Sequence, residues 1–147
     1  MCSSDLAGGK KTCLVLWGGL RPYFPREILG IKVSRKTSKL VFLHATAWSG
    51  LVDGKNKKAA EYKINYADGS TETIDLVVGK NIGEWWSASD LPEAVVGCKY
   101  SQPSGEVIGL YNYVWDNPHP EKIITTIDFV SAQTGPVAIC AAITGVN

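Results

Sequence analysis

Four tryptophans fall at or beside loops: Trp48, Trp85, Trp86 and Trp115. Near them stand Asn81, Asp116, Asn117 and His119, with Arg21 in an earlier loop. These two kinds of side chain match what a sugar offers. A sugar ring has apolar C–H faces, which a flat indole covers at low entropic cost. Its rim of hydroxyls takes directed hydrogen bonds from Asn, Asp, His or Arg. Trp48, Trp85 and Trp86 are loop-borne, and Trp17 and Trp115 are strand-borne and more naturally core. The candidate ligand-binding set is therefore Trp85, Trp86, Trp48, Asn81, Asp116, Asn117 and His119.

Other chemistries find less support. There is no GxSxG, no Walker motif and no GxGxxG cluster. Glu84, Asp90, Asp116 and Glu121 are loop carboxylates that could approach one another as a glycosidase-type pair. Loop carboxylates are mostly solvated, however, so no catalytic residue and no enzyme activity are expected. Cys2, Cys13, Cys98 and Cys140 form no CxxC pair, and the two histidines lie far apart, so no metal site is expected. Cys13, Cys98 and Cys140 each sit in an apolar strand-like run and read as small buried hydrophobes with free thiols, with one disulfide between two of them left open. His44 shares a face with Leu40 and Phe42 and reads as a hydrogen-bonded core histidine.

The elements that must position these groups read as strands. Tyr111, Tyr113 and Trp115 recur at period two, with Leu110, Asn112 and Val114 on the other face. Residues 123–130 alternate likewise. The loop Asp116-Asn117-Pro118-His119-Pro120 between them cannot be strand interior, because its prolines lack ladder donors and restrict their neighbours. The clearest local signal is Ala67-Asp68-Gly69 between the alternating runs 61–66 and 70–78, a β-hairpin in which Gly69 takes positive φ. Further strands are expected at 11–17, 27–33, 39–48, 94–100 and 137–144. The 39–48 run (KLVFLHATAW) is apolar on both faces and is expected to be buried on both sides. Asn81 and Glu84 have capping-box spacing, which predicts one short helical turn before the two adjacent tryptophans. Those two cannot face the same way, so one should anchor in the core while the other is freer.

About nine short strands, little helix and regular turns give an all-β, antiparallel two-sheet sandwich or jelly roll. The chain of 147 residues, 45% apolar and 20% charged, suits one domain with a real core. A net charge of +1 gives no reason to expect nucleic acid or an anionic membrane. No apolar run approaches the roughly 20 residues of a membrane span. Cys2-Ser3-Ser4-Asp5-Leu6 is what a common sequencing-adaptor end encodes (TGC TCT TCC GAT CT). Residues 1–10 are therefore expected to be a non-native or disordered start, with residues 11–147 a single β-sandwich domain lacking its native front.

The segments FLHATAW, EYKINYADGSTETIDL, GKNIGEWW, GLYNYVWDNPHPEKIITTIDFVSAQTG and AAITG together resemble a bacterial β-sandwich domain. It is the galactose-binding-like, carbohydrate-binding-module type, often attached to glycoside hydrolases. The resemblance covers residues 11–145. It implies noncatalytic sugar binding, a secreted or cell-surface location, a polysaccharide or glycan partner, and neighbouring domains in a larger protein. It also implies extra strands before KTCLVLW. Such domains often hold a structural calcium ion, but no Asp-rich ligand string is present, so no cofactor is expected. The rival expectation is a structural sandwich packed on a neighbouring domain through its tryptophans.

Overall fold

The computed structural model describes residues 13–147. The adaptor-like start therefore lies outside the described residues. Nine strands are present among those described: β1 (Leu14–Val15), β2 (Glu27–Arg35), β3 (Lys39–Ala47), β4 (Lys58–Tyr66), β5 (Thr71–Val77), β6 (Ala94–Ser101), β7 (Val107–Asp116), β8 (Ile124–Ser131) and β9 (Val137–Val146). They form two antiparallel sheets, one of order β1-β9-β3-β7-β6 and one of order β2-β8-β4-β5. The chain crosses between sheets at most connections, and only β4–β5 and β6–β7 are hairpins within a sheet. With β6 set aside as an added edge, this is the wiring of a jelly roll.

Alternation explains the two layers. Leu40, Phe42 and His44 on β3 point inward, as do Tyr62 and Ile64 on β4 and Ile127 and Phe129 on β8, and all are fully buried. Phe42 stacks on Tyr62 across the sandwich at a centroid distance of 4.1 Å. The β4–β5 hairpin turns where Asp-Gly predicts it. Gly69 takes φ 85°, its N–H donates to Tyr66 O, and Ser70 N–H donates to Asp68 Oδ1.

His44 is a core residue. Its Nε2 lies 2.8 Å from the carbonyl of Asn81, which only accepts, so Nε2 carries the proton. Nδ1 then accepts from the Tyr62 hydroxyl at 3.1 Å. Burial pushes the imidazole pKa down to about 4. Cys140 is buried beside it, a free thiol whose pKa burial raises to about 11.

Four expectations are corrected. The outer face of β3 is not fully covered: Val41 and Leu43, both pointing away from β4, are half-buried. Cys13 is exposed and free rather than buried, and Cys98 is disulfide-bonded rather than a free thiol. No helical turn forms at residues 81–84. There the Asn81 amide is drawn back onto the end of β5 and the Glu84 carboxylate goes to another loop, so the two never close a capping box.

Candidate functional site

β3 and β7 pair as far as His44 and Tyr111 and then separate. Residues 83–88 fill the gap. Thr46 N–H donates to Gly83 O, Trp85 N–H to Thr46 O, and Gly109 N–H to Trp85 O, all within 2.9 Å. Glu84 bridges Thr46 in parallel and Trp86 bridges Ile108 antiparallel. A strand-like segment is thus wedged between two diverging strands, which satisfies backbone groups that would otherwise be orphaned. It also carries Glu84, Trp85 and Trp86 to one end of the sandwich.

The loop after β3 closes over the same end. Trp48 sits in the left-handed region at φ 58°, a strained conformation for a bulky residue. The Arg21 guanidinium lies over its indole, 4.2 Å from the ring centroid. Asp53 and Asn56 in this loop, and Ser87 in the facing one, also have positive φ. Backbone strain of this kind concentrates where loops are held for binding.

Trp48, Gly50, Leu51, Glu84, Trp85 and Trp86 line an open pocket of about 330 Å³. The two adjacent indoles meet edge to face, at 6.0 Å and 74°. Trp85 packs against Ala45, Ala94 and Tyr111, while Trp86 is 42% exposed. Glu84 Oε2 accepts two bonds from Ser49, from its N–H at 2.8 Å and its hydroxyl at 2.6 Å. Its other oxygen, Oε1, has no hydrogen-bond partner among the described residues. The pocket therefore offers aromatic walls and one held carboxylate acceptor.

The remaining sequence-selected residues do not line this pocket. Asp116 pairs in register with Lys39 at the start of β3, whereas Trp48 follows its end. At about 3.3 Å per residue, β3 separates these ends by about 26 Å. Asp116 forms an ion pair with Lys39 at 3.1 Å. Asn117 is buried: its Oδ1 accepts from the Tyr66 hydroxyl and His119 N–H, and its Nδ2 donates to Thr37 O and His119 O. His119 lies between Glu72 and Glu121, at 3.3 and 3.7 Å, with its ring edge-on to Tyr66. Burial, then the carboxylates of Glu72, Glu121 and Asp68, hold the Tyr66 hydroxyl up at about 12. Asn81 is also buried. Its Oδ1 accepts from Val77 N–H and its Nδ2 donates to Asp75 O.

Thus Trp48, Trp85 and Trp86 come together, and Asn81, Asp116, Asn117 and His119 do not join them. The polar side chains that do are Glu84, Ser49 and Arg21, the last over the Trp48 ring. Glu84 was visible as a loop carboxylate directly before the tryptophan pair. Nothing in the sequence marked Ser49. Among the described residues, no group of three or more His, Cys, Asp or Glu side chains is placed to hold a metal ion. No protein-family model, curated protein or solved structure matches the chain.

Proposed function

We propose that this β-sandwich is a noncatalytic carbohydrate-binding module of the galactose-binding-like type, part of a larger secreted or cell-surface bacterial protein that acts on carbohydrate. The observation that carries the reading is the open pocket that three tryptophans line together with Glu84. An indole face covers the C–H surface of a sugar, and a carboxylate oxygen accepts from its hydroxyls. Held loops keep both in place before the ligand arrives, which lowers the ordering cost of binding. One open pocket buries little surface, so affinity is modest, and the module serves by keeping a tethered partner near polysaccharide.

Retention on immobilised xylan, cellulose, mannan and galactan tests this. The native chain should be retarded on at least one, and Trp86→Ala should run freely while remaining folded. A folded native chain that passes all four unretarded, or a Trp86→Ala variant retained as well as the native chain, would count against the site.

A second reading has its own observation. The outer face of the five-stranded sheet carries Val41, Leu43, Val95, Val114 and Val146, of which Val95, Val114 and Val146 are exposed. A solvated sheet face is normally polar. This face suits packing against a neighbouring domain of the same protein, and it does so without using the tryptophans.

A further inference from the structure

The tryptophan pocket does not end at Glu84. A second cavity of about 310 Å³ opens beyond it and shares Gly50 and Glu84 with the first. Its lining is also largely apolar, with Val78, Leu91 and Tyr111, but it adds polar side chains that the first lacks. Ser87, Ser89 and Lys55 supply two hydroxyls and an ammonium, where the first cavity supplies indoles. Lys55 makes no ion pair among the described residues. Each cavity alone sits at the small end of the range for ligand sites, about 300–1,000 Å³. They adjoin at Glu84 and Gly50, with the indoles on one side and Ser87, Ser89 and Lys55 on the other.

Gly50 lies at the join. A Cβ added there would meet nothing within 4 Å, and its φ is not in the positive range that strains a side chain. Residue 50 therefore borders open space where the two linings meet.

From this geometry we infer that the site takes a linear, neutral oligosaccharide spanning at least two consecutive sugar units, with Glu84 at the junction. One ring lies against the indoles, and the next lies among Ser87, Ser89 and Lys55. A neutral hydroxyl both donates and accepts, so neighbouring hydroxyls satisfy the Glu84 carboxylate and the Lys55 ammonium together. An anionic unit at the junction would face the Glu84 charge directly. The inference rests on the glycan-binding reading and adds to it the length and charge of the ligand.

The test is a titration of the full chain, followed through its tryptophan indole N–H signals by NMR. The probes are xylo-, cello-, manno- and galacto-oligosaccharides of one to four units. In the series that binds, affinity should rise about tenfold from one unit to two. Lys55→Ala and Ser89→Ala, which touch the second cavity and not the indole pocket, should each remove most of that gain while leaving the single-unit affinity nearly unchanged. Equal affinity for one unit and for longer chains would overturn the two-unit site and leave the glycan reading standing. A gain that survives in both variants would also overturn it, since the second unit would then lie elsewhere. If the folded native chain binds none of the four series, the glycan reading falls and the two-unit site falls with it.

Discussion

Ser49 donates both its backbone N–H and its hydroxyl to a single oxygen of Glu84. This ties the loop after β3 to the segment that carries Trp85 and Trp86. The second carboxylate oxygen has no hydrogen-bond partner among the described residues. Ser49→Ala removes one of the two bonds. We expect a stability loss of about 1.5–3 kcal/mol, the range for a hydrogen bond to a charged group. Glycan affinity should fall several-fold as Glu84 loosens. Chemical denaturation and retention on the binding polysaccharide measure the two effects separately.

Trp85 and Trp86 are neighbours in sequence with different surroundings, so their alanine variants should differ. Trp86→Ala should cost about 1 kcal/mol of stability or less, because much of the ring is already in water, while abolishing measurable glycan retention. Trp85→Ala opens a hole beside Ala45, Ala94 and Tyr111 and should cost about 3 kcal/mol. Equal denaturation midpoints for the two variants would contradict this division.

The buried imidazole makes stability depend on pH. The pKa of His44 falls from an ordinary value of 6.5 to about 4 on folding, because burial disfavours its charged form. Between those values the unfolded chain binds the proton and the folded chain does not. This contribution is fully present above pH 6.5 and is lost as pH falls toward 4, amounting to about 3 kcal/mol. Denaturant midpoints measured from pH 7 to pH 4 should show the decline. His44→Gln, less stable at pH 7, should lose most of that slope.

Asn117 bonds to Tyr66, Thr37 and His119 at the end of the sandwich remote from the tryptophans. Asn117→Ala leaves buried groups without partners and should cost about 2–3 kcal/mol. Glycan retention per folded molecule should not change. Reduced retention in the folded fraction would show that this end contributes to binding after all.

Faces were legible in the sequence and ends were not. Period-two alternation told which side of β4 and β7 each residue occupies, and Asp68-Gly69 placed a turn with a mechanism. In β8 it failed at the start, where a register shift opposite Asn65 and Tyr66 puts Ile124 in the core beside Ile127 and Phe129 and leaves Ile123 exposed. Alternation carries no information about which pole of a sandwich a loop reaches. That depends on strand direction and sheet order, both of which come from long-range pairing. The Asp116–Pro120 loop and the Trp85-Trp86 pair therefore read as neighbours in chemistry while lying at opposite poles. The Asn81–Glu84 spacing misled for a related reason. Local capping lost to tertiary partners, the Val77 and Asp75 backbone on one side and Ser49 on the other. The outer residues of β3 read as buried because apolar character was taken to mean cover, and Val41 and Leu43 have only part of it.

The register of β9 on β3 sets Val146 beside Lys39, at the pole away from the pocket. An anchor attached at Asn147, whether a biotin, a resin or a sensor surface, would therefore hold every molecule in the same attitude with its indoles facing the bulk solution. Coupling through random lysines would not, because Lys55 lines the cavity that adjoins the indoles and would be consumed in a share of the molecules. Binding capacity per immobilised molecule should thus depend on the chemistry of attachment, with end-on coupling giving the higher value.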